Sequence, residues 1–143
     1  MTDLPHVSLG RTIGRIAFGA GLLFAGTTHL TVARQEFQAQ VPEWLPLDPD
    51  FVVLASGVVE IGLGAALVAL PKQRVPVGLA AAAFFTAIFP GNISQFVTQT
   101  DAFGLNSDTA RGVRLLFQPV LVLGVLWATA AWRDRRHLLG RDA

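Results

Sequence analysis

The chain has no cysteine and no tyrosine, one methionine, three histidines and only 15% charged residues. Without cysteine there is no thiol relay, no thiolate-bound zinc and no iron–sulfur cluster. His6 and His137 lie near opposite termini and His29 lies between them, at the far end of the first apolar segment. That placement argues against a bis-histidine haem held inside one bundle. The glycines of GAGLLFAG (19–26) miss the GxGxxG spacing that cradles phosphate, and they fall inside an apolar segment, where they read as packing glycines. With a net charge of +1 and no recognition motif beside the basic tail RDRRHLLGR (133–141), nucleic acid is not an expected partner.

The low charge is matched by 52% hydrophobic residues and a mean hydropathy of +0.50. Soluble domains carry about 25% charged residues. The run FVVLASGVVEIGLGAALVAL (51–70) is polar only at Ser56 and Glu60, so a helix made from it has no polar face to give to water. At 1.5 Å per residue it spans about 30 Å, the thickness of a bilayer's hydrocarbon core, which puts Glu60 near the middle. Segments 13–32, 75–97 and 113–132 read the same way. The expected fold is all-α, an integral membrane four-helix bundle forming one domain over residues 1–143, with short loops. Ala17, Gly21 and Ala25 form a small-residue stripe of the kind that lets membrane helices approach closely.

The first segment begins after a polar lead and is followed by three more, so it reads as an uncleaved helix and not a secretory signal. Arg11, Arg15, Lys72, Arg74, Arg133, Arg135, Arg136 and Arg141 fall on one side of the spans, and only Arg34, Arg111 and Arg114 on the other. The positive-inside rule then predicts a plasma or inner membrane protein with both termini cytoplasmic. Glu36, Glu43, Asp48, Asp50, Asp101 and Asp108 fall in the outer loops. The basic tail suits anionic lipid or simple fixing of topology.

The polar residues inside the spans sort by depth. Counting along the helices, His29, Asn92 and Gln118 share a layer in the outer half, and Glu60 lies deeper, as a floor beneath it. Arg111, Arg114 and Gln118 form one stripe, and Asn92, Gln95 and Gln99 another. Pro90 and Pro119 free the carbonyls of Thr86 and Leu115, which neighbours or a wet cavity must satisfy at membrane depth. An intramembrane acid is a functional candidate by default. Glu60 can equally be a neutral clamp between helices, His29 a satisfied interfacial residue, Arg114 an interface anchor, and Asn92 and Gln118 interhelical glue. The segment FQAQVPEWLPL (37–47), with Phe37, Val41, Trp44 and Leu45 as apolar contacts, is expected to form a short interfacial element over the outer mouth. The sequon NIS (92–94) lies at the end of a span, where glycosylation does not reach.

The order and spacing of GTTHLTVARQEFQAQVPEWLP (26–46), SGVVEIGLG (56–64), FPGNI (89–93) and RLLFQPVL (114–121) resemble the DoxX-like family of small four-helix membrane proteins. The resemblance places that family's glutamate on Glu60, its histidine on His29, its asparagine on Asn92, and its arginine and glutamine on Arg114 and Gln118. It implies a membrane redox context with quinone contact, while animal relatives look like receptor-assembly chaperones. Three functions follow as expectations. The first is a non-catalytic component of a redox complex, with a lipid- or quinone-like ligand held by Glu60, His29, Asn92, Gln118 and Arg114, without a covalently bound cofactor. The second is a scaffold or assembly factor for a partner protein, and the third is an oligomeric proton-coupled transporter. Membrane lipids, redox partner proteins and further copies of the chain are the expected partners.

Overall fold

The computed structural model describes residues 4–38, 41–98 and 107–140. Among these the regular structure is helical: α1 (Leu9–Leu30), α2 (Arg34–Gln38), α3 (Pro49–Ala69), α4 (Arg74–Ala87), α5 (Phe89–Val97), α6 (Asp108–Thr129) and α7 (Ala131–Asp134). Short 3-10 turns, Pro71–Gln73 and Arg135–Leu139, precede α4 and follow α7. Gln99, Asp101 and Arg141 lie outside the described residues.

The long helices begin earlier than the apolar runs because polar caps set their starts. Ser8 Oγ accepts from the Arg11 N–H at 3.3 Å, and Ser107 Oγ accepts from Ala110 N–H at 3.2 Å. Asp48 caps α3, with Pro49 in its first turn, where a missing N–H costs nothing. The third segment is not one helix. Pro90 cannot donate, so α4 stops at Ala87 and α5 restarts at Phe89 with the proline in its first turn. Pro119, by contrast, sits inside an unbroken α6, which closes at Ala130 in the left-handed region (φ 52°).

α1 and α3 run antiparallel and pack through glycine. A Cβ on Gly26 would stand 2.6 Å from the Gly57 carbonyl oxygen, and one on Gly64 would stand 2.6 Å from that of Gly19. These are backbone-to-backbone approaches that any larger residue blocks. The stripe expected to make such a contact, Ala17, Gly21 and Ala25, does not make it. A Cβ on Gly21 would meet nothing within 4 Å, and all three residues line a cavity. Small residues mark close approach only on the face that meets a neighbour, and sequence spacing alone did not show which face that is.

Leu22, Leu67, Ala81, Ala82, Phe85 and Val125 form the buried apolar core. The exterior is more apolar than the polar residues it hides. On α6, Arg111 and Gln118 are 6% and 1% exposed while Leu116 and Leu123 are 74% and 67% exposed. A water-soluble helix has the reverse arrangement. Three stretches are long and apolar enough to cross a membrane: Pro49–Ala69, Pro71–Val97 and Asp108–Thr129. Leu9–Leu30 is equally long but is not in this set, because Arg11, Arg15 and His29 lower its hydropathy.

One end of the bundle gathers the basic residues. Arg15 donates to the Leu67 carbonyl and, at 3.3 Å, to that of Val68, placing a cation on the C-terminal carbonyls of α3. Arg11 donates to the Trp127 carbonyl and stacks over its ring at 5.1 Å. Arg74 reaches the carbonyls of Thr129 (2.8 Å) and Pro5 (2.9 Å) and the Asp134 carboxylate (2.8 Å). Asp134, the one acid within RDRRHLLGR, is therefore a buried counter-ion, a role the sequence reading did not assign to it. Bonds from Arg133 and Arg74 hold its carboxyl below the usual range, against the cost of its burial.

Candidate functional site

At the opposite end, two polar groups meet a cavity of about 670 Å³. The first is His29 with Glu60. In antiparallel helices each Cα–Cβ bond leans toward its own N-terminus, so the side chain of His29 on α1 and that of Glu60 on α3 lean toward each other. His29 Nδ1 lies 3.0 Å from Glu60 Oε2, with both side chains at most 10% exposed. The same nitrogen lies 2.7 Å from the Ala25 carbonyl. One N–H can point at only one of them, and Oε2 is left buried beside the imidazole with no aligned hydrogen bond. Glu60 is therefore beside His29, and not a floor separated from it, because depth counted along Cα positions ignores the lean of the side chains. The imidazole also stacks on Phe37 of α2, with centroids 3.4 Å apart and planes 15° apart.

The second group is centred on Gln118. Its Nε2 donates to the Phe85 carbonyl at 2.6 Å, and its Oε1 accepts from Asn92 Nδ2 at 3.2 Å and Arg114 Nη1 at 3.3 Å. The Phe85 carbonyl lies at the interruption between α4 and α5 that Pro90 creates, so a side chain from α6 satisfies backbone that the break exposes. The carbonyl that this neighbouring side chain satisfies is that of Phe85, not the expected one of Thr86. Gln95, 1% exposed, and Arg111 are buried on the stripes of Asn92 and Gln118.

Four of the five candidate residues, His29, Glu60, Arg114 and Gln118, line the cavity, while Asn92 holds Gln118 and is not part of the wall. Phe37, Val41, Trp44 and Leu45, the apolar contacts expected of the segment after α1, all lie on the wall. Arg34 pairs with Asp50, and Gln38 donates to Asp50 at 2.9 Å, which fastens α2 to the start of α3. The stacking of Phe37 on His29 is a contact that sequence reasoning missed. An aromatic three residues beyond Arg34, placed over a helix-terminal histidine, was the available signal.

Apolar side chains outside, buried polar groups inside and three stretches able to cross a bilayer define a helical protein of the multi-pass membrane class. The chain belongs to the family described as a domain of unknown function, DUF8561, whose profile matches residues 18–131 and so takes in both polar groups and the cavity. The matching profile is this one and not a DoxX-like one. No curated protein and no solved structure matches the chain.

Proposed function

We propose that the protein crosses the cell membrane four times with both termini cytoplasmic and binds a lipid- or quinone-like molecule in the outer half of its bundle. In this reading it is a non-catalytic component of a membrane redox system. The observation that carries the binding claim is the cavity itself. Its volume falls within the roughly 300–1,000 Å³ of small-molecule sites, and its apolar wall is interrupted by a few convergent polar groups. The fourth crossing is supported by α1, whose Arg15 and His29 are buried at 6% and 8% exposure while Leu9, Ile13 and Phe24 face outward. Hydropathy counts those two polar side chains as if lipid met them; the packing hides them. The orientation rests on the basic residues gathered at the end where α1 begins and α7 lies. The redox context rests on the DoxX-like resemblance alone.

The test is native mass spectrometry with lipid extraction on protein purified in mild detergent, comparing wild type with Glu60→Ala and Gln118→Ala. A stoichiometric quinone, isoprenoid or other single-chain lipid in the wild type, lost from both variants, is the expected result. Ordinary phospholipid alone in all three samples refutes it. The scaffold reading has its own supporting observation, since every hydrogen bond described for Gln118 is made to the bundle itself. It predicts that Glu60→Gln retains full activity in cells.

A further inference from the structure

Resting on the pocket reading above, we infer that the molecule held in the cavity carries an anionic head, a carboxylate or a phosphate, on a single apolar chain, and that Arg114 is the residue that holds the head. Among the described residues, the ionisable side chains on the cavity wall are His29, Glu60 and Arg114. His29 and Glu60 lie 3.0 Å apart and face each other. Glu60 thus faces His29, and Arg114 is the cation on the wall that faces no carboxylate among the described residues.

Arg114 is half-buried, and its hydrogen bond is to the neutral Gln118 amide oxygen at 3.3 Å. Among the described residues no carboxylate pairs with it, whereas Arg34, Arg74, Arg111 and Arg133 each have one. A guanidinium has five N–H donors in a planar fork that fits a carboxylate or phosphate in two-point contact. At membrane depth an unpaired charge is costly, and an anion that enters with its own chain removes that cost. Gln118 holds Arg114 by its Oε1 while its Nε2 is tied to Phe85, so the fork is oriented before a ligand arrives. A neutral carbonyl head would use one or two of these donors and leave the charge in place. A two-chain phospholipid exceeds a cavity of drug-sized volume, so the occupant has one chain.

The test uses purified protein in phosphatidylcholine nanodiscs and follows Trp44 emission, since Trp44 is on the cavity wall and Trp127 packs under Arg11 at the other end. Four probes are titrated: palmitate, hexadecyl phosphate, hexadecanol and decylubiquinone. In wild type the anions should bind at least about tenfold more tightly than hexadecanol; Arg114→Gln should erase most of that advantage and Arg114→Lys should keep part of it. The stronger of the two anions identifies the head group. Thermal unfolding of both variants shows that they are folded, and the lysine variant carries the test if the glutamine variant is not. Equal binding of hexadecanol and palmitate, or an unchanged anion advantage in Arg114→Gln, overturns the inference. Decylubiquinone binding more tightly than both anions overturns it while leaving a lipidic pocket in place. Binding of none of the four, with no lipid co-purified, removes the pocket reading as well.

Discussion

Replacing Gly26 by alanine should open the seam between α1 and α3, whereas the same replacement at Gly21 should not. At Gly26 the new methyl group would stand 2.6 Å from the Gly57 carbonyl oxygen, 2.8 Å from Ile61 Cγ1 and 3.0 Å from Ile61 N. Two of those atoms are backbone in the middle of a helix, so neither can rotate away. Ordinary contact begins near 3.4 Å, so the helices must part by about 0.8 Å. A gap of that size forfeits a quarter to a half of each dispersion contact along the seam. Overpacking of this kind costs about 1–3 kcal/mol. At Gly21 a Cβ meets nothing within 4 Å, so the methyl group costs no packing and adds helix propensity of up to about 1 kcal/mol. The assay is thermal unfolding of both variants in the same detergent, followed by helical circular dichroism. For a chain of this size, about 2–4 °C per kcal/mol puts the Gly26→Ala midpoint on the order of 2–12 °C below wild type, with Gly21→Ala at or above it. Equal midpoints for the two variants would refute the packing argument.

Other perturbations probe the two ends of the bundle. Asp134→Asn should destabilise the protein by about 3–5 kcal/mol, because it leaves Arg74 buried without its counter-ion. Since the Asp134 carboxyl is held below its ordinary range, the unfolded chain binds the proton first. Its contribution is therefore complete above about pH 4–5 and is lost as pH falls further, and an unfolding series from pH 7 to pH 3 should be steeper for wild type than for Asp134→Asn. Gln118→Leu should cost about 1–3 kcal/mol in the same unfolding assay, because the Phe85 carbonyl loses its donor. Phe37→Ala removes the ring stacked on His29, worth about 0.5–1.5 kcal/mol, and should shorten the residence of a bound lipid, measured by dissociation from nanodiscs.

The long apolar runs were legible because a helix without a polar face has few environments open to it. Their ends were displaced by a few residues, since hydropathy begins at the first apolar residue while Ser8, Asp48 and Ser107 cap the helices from outside the runs. The break at Pro90 was legible as a freed carbonyl but not as two separate helices. Glu60, His29, Gln118 and Arg114 were found by their cost: a polar group at membrane depth must be paired or used. Their pairing was not legible, since whether His29 meets Glu60 or Gln118 depends on the lean of side chains across a seam set by Gly26 and Gly57. The Arg74–Asp134 pair was hidden for a different reason. Asp134 lies among four basic neighbours, and composition reads that stretch as a solvated tail.

The most direct test of the central claim, that the cavity is a lipid site, is the lipid content of Gly21→Leu, measured by native mass spectrometry beside wild type. A Cβ on Gly21 meets nothing within 4 Å and Gly21 lines the cavity, so a leucine there takes up space that a ligand would fill. The account predicts a variant that unfolds at or above the wild-type midpoint and has lost the bound molecule. A folded Gly21→Leu that retains the molecule at wild-type stoichiometry would contradict it.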